Sequence, residues 1–138
     1  MRGVYACSLT AGGPLTHLRD LAPKVAAEGV DVRVVCADED IAESFRALGV
    51  EAVARPLRNK LDAPGAVRTW PELAHADIVH THDRRTGLLV RPLAHGRRAR
   101  SVHTFHGVPD ELFGRVGRDV PVEDPTASRA RLLWLEHG

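Results

Sequence analysis

The sequence predicts a doubly wound α/β domain built on a parallel sheet. Short β-branched apolar runs alternate from the first residue with segments whose apolar residues recur every three to four positions. A glycine turn, Ala11-Gly12-Gly13-Pro14, closes the first strand and opens the first helix. The chain has 138 residues, 43% of them hydrophobic, which suits one independently folding core.

The elements follow in order. Val4 to Leu9 is an apolar run ending at the glycine turn, and Leu15, Leu18, Leu21, Ala22 and Val25 then recur at helical spacing up to Gly29. Val30 to Ala37 carries four valines and reads as a strand buried on both faces. Asp38 and Asp40 are placed to cap a helix through Ile41, Phe45 and Leu48 that Gly49 stops. Val50 to Ala54 is the third strand, and a polar loop runs from Arg55 to Pro64. Gly65 to His75 reads as helical, with Pro71 either restarting or kinking it. Asp77 to His82 is the fourth strand, Thr86 to Leu93 a helix closed by His95-Gly96, and Arg100 to Phe105 the fifth strand. Right-handed crossovers between parallel strands distribute the helices to both faces. Gly114 to Thr126, polar and with two prolines, is expected to be a mobile loop, and Ser128 to His137 a last helix. Leu132, Leu133 and Trp134 on that helix have no later strand to pack against, so the chain reads as truncated, with homodimerisation through this face as one way to cover it.

Charge excludes little and favours no polyanionic partner. Nineteen basic and 18 acidic residues leave a net charge of +1, which offers no general attraction to nucleic acid or a membrane surface. Arg84-Arg85 and Arg97-Arg98-Ala99-Arg100 are small basic clusters that suit solvated loops and helix ends. No apolar run approaches the ~20 residues needed to cross a bilayer, and the apolar start is too short for a signal peptide. Cys7 and Cys36 each sit in a strand-like run, where they read as small buried hydrophobes and reduced thiols of a cytoplasmic protein rather than a disulfide.

The most informative segment is Ser101-Val102-His103-Thr104-Phe105-His106-Gly107, which places an imidazole where a strand gives way to a turn. Side chains at the carboxyl ends of parallel strands face the crevice where open α/β sheets bind ligands. His106 is therefore the leading catalytic candidate. Gly12 and Gly13 let backbone amides approach a phosphate or sugar, at a helix start whose dipole favours negative charge. A plain tight turn would use the same glycines.

Six of the eight histidines fall between His75 and His106. His80 and His82 share one face of a strand beside Asp83, a geometry zinc could use, but no third or fourth ligand is placed around them. No metal is assigned. His80 and His103 read as core histidines bonded to neighbours. His82, His17, Arg84, Arg85 and Thr86 are acceptor-contact candidates, and Gly107 would let the backbone turn away after His106. Asp38-Glu39-Asp40 imitates a cation-binding triplet and the acid that binds a ribose, yet helix capping explains it. The glycine loop lacks the full three-glycine dinucleotide pattern, which argues against a dehydrogenase that binds NAD.

Three segments together resemble the N-terminal half of the family-4 glycosyltransferases, retaining enzymes with two facing Rossmann-like domains known as the GT-B fold. They are Gly12-Gly13 with Thr16-His17-Leu18 and a helix ending at Glu28-Gly29-Val30-Asp31-Val32; Asp77-Ile78-Val79-His80-Thr81-His82; and Val102-His103-Thr104-Phe105-His106-Gly107. The resemblance implies that residues 1–138 form the acceptor-binding half, inactive alone, and that the nucleotide-sugar donor, a co-substrate rather than a cofactor, is bound mainly by an absent C-terminal domain. It maps a phosphate or acceptor contact onto Gly12 and Gly13, and a sugar-contacting, transition-state-stabilising histidine onto His106. The family's pair of glutamates separated by seven residues belongs to the absent domain. Glu43 and Glu51 have that spacing, but they fall in a helix and the next strand, across Gly49, and read as solvent-facing charges. The alternative is a stand-alone α/β module that binds a ligand or partner without catalysis.

Overall fold

A computed structural model describes residues 1–106. The five strands are β1 (Arg2–Ala6), β2 (Asp31–Cys36), β3 (Glu51–Ala54), β4 (Ile78–Thr81) and β5 (Arg100–His103). All pair in parallel, in the order β3-β2-β1-β4-β5. The chain thus winds outward from β1 to one edge, returns, and winds to the other, leaving a topological switch between β1 and β4. Gly107, the loop from Gly114 to Thr126 and the helix expected at Ser128 to His137, with its dimer contact, lie outside the described residues.

Alternation along each strand divides two cores. Tyr5 and Cys7 of the β1 segment, with Val32, Val34 and Cys36 of β2, face α1 (Gly13–Ala27) and α2 (Glu39–Arg46), where Leu15, Leu18, Ala22, Ile41 and Phe45 are buried. Val4, Ala6, Val35 and Val79 face the other way, onto Leu57, Leu73, Val90 and Ala94. Helices therefore cover both faces, as doubly wound topology requires. Cys7 and Cys36 are buried and free, and burial pushes their thiols up to about 11 and about 12, so both are inert, uncharged packing groups.

Strand and helix ends differ from the sequence expectation for identifiable reasons. Asp38 caps α2 by accepting from the Ile41 amide at 2.9 Å, and Glu39 pairs with Arg46. Glu51 pairs with Arg33 on a separate element from Glu43. The stretch expected as one helix over Gly65 to His75 is α3 (Ala63–Thr69) followed by a 3₁₀ turn (Trp70–Leu73), because Pro71 cannot supply the amide that would continue α3. Pro92 acts likewise on Thr86 to Leu93, dividing it into α4 (Arg84–Leu89) and α5 (Arg91–Gly96). The last basic cluster is partly committed: Arg97 lies 4.0 Å over the Trp70 ring and donates to the Trp70 carbonyl.

Candidate functional site

At the carboxyl edge of the sheet, four imidazoles and a phenol form one continuous aromatic group. Tyr5 of β1 pairs in register with His80 of β4, and their rings lie 5.4 Å apart. His82 follows two residues later on the same face, with its ring 4.0 Å from that of His80 and 6.0 Å from Tyr5. Above this stack stand His17, from the second turn of α1, and His106, three residues beyond β5. Their rings are 5.7 Å and 5.9 Å from His82 and 5.3 Å from each other. The βα junctions after β1, β4 and β5 thus converge.

The environment fixes the charge of these rings. Burial, reinforced by the charge of the neighbouring imidazoles, lowers His80 to about 4 and His82 to about 2. His106 is also lowered, by burial first and then by His17 and His103, with Asp83 opposing. At neutral pH all three are uncharged, so each offers one N–H donor and one nitrogen acceptor. His80 Nε2 lies 2.7 Å from the Thr104 hydroxyl. Neither ring nitrogen of His82, nor Nε2 of His106, has a hydrogen-bond partner among the described residues.

The glycine turn lies beside them. Gly12 is the residue before α1, with φ +98°, a conformation that side chains other than glycine rarely adopt. A Cβ at Gly13 would meet nothing within 4 Å among the described residues. Among the described residues no side chain caps the first turn of α1, which carries no acidic residue, while the Thr16 amide and hydroxyl are committed to the Gly12 carbonyl at 3.1 and 3.2 Å. This helix start is open to an anion or a hydroxyl-rich ligand.

Several expected contacts are redirected by packing. His82 is 0% exposed, so any ligand meets His17 and His106 before it. The Arg85 guanidinium donates to the Leu57 carbonyl at 2.6 Å, holding the loop after β3 rather than facing the crevice. Thr86 is buried in the cap of α4. Arg84 stays exposed. β5 ends at His103 instead of Phe105, which places His106 in a bend rather than on the strand. His103 turns to the opposite face, where its Nδ1 lies 2.7 Å from the Thr81 hydroxyl.

Sequence reading passed over Asp83 except as a neighbour of the histidines. It is 8% exposed, and its carboxylate accepts from Ser8, Arg85 and Thr86, with no basic side chain paired to it among the described residues. The capping pattern Asp83-Arg84-Arg85-Thr86 was the signal that could have found it. Among the described residues, no three of His, Cys, Asp or Glu are arranged to hold a metal ion. A depression of about 580 Å³ lined by Met1, Ala76, Asp77, Ile78, Arg98 and Arg100 lies at the amino ends of β1, β4 and β5, remote from the histidines.

Sheet order, crossovers and the switch between β1 and β4 define a Rossmann-like α/β domain. The family model for Glycosyltransferase Family 4 matches residues 11–136, and the chain belongs to that family. Among solved structures, the crystal structure of a glycosyltransferase from Rickettsia africae ESF-5 is similar, with a TM-score of 0.64 and 16% identity over 86% of this chain and 34% of that one. This chain thus corresponds to about a third of the other's length. No curated protein matches it.

Proposed function

We propose that the chain is the acceptor-side half of a retaining, nucleotide-sugar-dependent glycosyltransferase that transfers a hexosyl group. The observation that carries this reading is the meeting of His17 and His106 across buried His82, with His17 one helical turn along α1 from its glycine start. A sugar needs neutral donors and acceptors for its hydroxyls, and a departing diphosphate needs amides and a positive helix end. This edge of the sheet supplies both.

In the proposed reaction, the acceptor hydroxyl attacks the face from which the nucleoside diphosphate departs: its oxygen bonds the anomeric carbon as the bond to the phosphate oxygen breaks, and its proton passes to that departing oxygen. His106, neutral at pH 7, hydrogen-bonds the transferred sugar and stabilises the positive charge developing at its anomeric carbon. Gly12 and Gly13 place the α1 amides against diphosphate or acceptor oxygens. His17 and exposed Arg84 contact the acceptor. The nucleotide sugar is held mainly by a second domain, and no cofactor is needed. Among the described residues no helix is long and apolar enough to cross a membrane. The free thiols suit the cytoplasm, the proposed location.

The test joins residues 1–138 to a family-4 donor domain and supplies a panel of nucleotide sugars. Transfer or slow donor hydrolysis is expected, and His106→Ala should lower it about 100-fold or more. Undiminished turnover in His106→Ala rejects the role given to that ring. Micromolar binding of an intact ligand without turnover in any pairing would make the chain a binding module.

A further inference from the structure

Asp83 is placed where the two loops beside the switch between β1 and β4 leave the sheet. Its Oδ2 accepts the Ser8 amide at 2.6 Å and lies 3.1 Å from the Thr86 hydroxyl, while Oδ1 accepts the Ser8 hydroxyl at 2.8 Å and the Arg85 and Thr86 amides at 2.9 and 3.1 Å. Ser8, 7% exposed, begins the loop that ends at Gly12 and Gly13. Capping α4 requires only the bonds to Arg85 and Thr86. The two bonds to Ser8, spanning 75 residues of sequence, do something else.

We infer that Asp83 is a positioning residue: it ties the glycine loop to the start of α4 and so sets the distance between the open end of α1, with His17, and His106. The buried carboxylate is stabilised by the helix start and by its converging donors, which makes this tether short and directional. The reading of the crevice as a sugar site says what the tether serves, but the tether is tested without turnover.

Asp83→Asn spares the cap and breaks the Ser8 amide bond of the tether, leaving only the Ser8 hydroxyl on Oδ1. An amide oxygen at Oδ1 still caps α4, since asparagine is a good cap, whereas the NH₂ at Oδ2 meets the Ser8 N–H donor to donor. Ser8→Ala weakens the same tether and leaves the cap intact. Both variants, and the parent chain, are compared by histidine-ring and amide NMR at neutral pH. The ring signals of His17 and His106 are expected to move in both variants, and exchange of the Ser8 and Thr16 amides to rise about tenfold or more in Asp83→Asn while Arg85 and Thr86 stay protected. The Trp70 indole should stay in place. If His17 and His106 keep their parent signals in both variants, or if only thermal stability falls, Asp83 is a helix cap alone. Should Asp83→Asn fail to fold, Ser8→Ala decides by the same signals. A failed glycosyl-transfer assay with these shifts present would reject the sugar reading and leave the tether standing.

Discussion

The ring of His17, in α1, lies 5.3 Å from the ring of His106, which follows β5. The residues are 89 positions apart, since 106 − 17 = 89, and belong to junctions after the first and fifth strands. Only a sheet that winds both ways from β1 brings them together, so fold and site depend on the same topology.

The buried imidazoles make stability depend on pH. His80 and His82 have folded values below the ordinary 6.5, so as pH falls below about 6.5 the unfolded chain takes up protons that the native chain refuses. Stability is therefore full above pH 7 and declines through pH 6 and 5, by about 1.4 kcal/mol per pH unit for each such histidine. Urea unfolding at pH 7.5, 6 and 5 measures this slope, and His82→Phe should flatten it. A midpoint independent of pH would show that these rings are not held neutral by burial.

The two turn glycines should answer alanine differently. Gly12→Ala forces a side chain into φ +98° and should cost about 1–2 kcal/mol. Gly13→Ala meets open space, so its folding stability should stay within about 0.5 kcal/mol of the parent. Any ligand that approaches the Gly13 backbone should nonetheless lose affinity. Equal denaturation midpoints for the two variants would contradict the backbone assignment.

Gly87 sets the position of His103. A Cβ at residue 87 would stand 2.6 Å from His103 Cε1 and 3.0 Å from its Nδ1, the atom facing the Thr81 hydroxyl. Gly87→Ala should destabilise by about 1–3 kcal/mol through overpacking and shift the His103 ring signals. An unchanged ring spectrum would place α4 farther from β5.

One substitution should stabilise. Arg98 follows α5 with φ 58°, while the Ala99 amide bonds back to the Ala94 carbonyl at 3.0 Å, the arrangement of a helix end that favours glycine. Arg98→Gly should raise stability by about 0.5–1 kcal/mol, read as a higher thermal midpoint.

Much of the fold was legible because the strands are β-branched and the helix stops are glycines: Gly29 and Gly49 both adopt positive φ after helices. The break at Pro92 was legible in principle, since proline lacks the amide a continuing helix uses, but the apolar spacing from Thr86 to Leu93 masked it. In the site, period-two alternation placed His80 and His82 on one face, yet alternation carries no information on depth, and His82 is buried under His17 and His106. The commitment of Arg85 to the Leu57 carbonyl was illegible for a related reason: it depends on where a distant loop folds.

The most direct test follows the ring signals of His17 and His106 by NMR while the 138-residue chain is titrated with simple glycans and nucleotide sugars. Binding in the crevice predicts that one ligand class moves both rings together, saturably, and that His106→Ala weakens that binding. The account is contradicted if every ligand that binds leaves both rings unmoved and shifts Met1, Arg98 and Arg100 at the opposite end of the sheet instead.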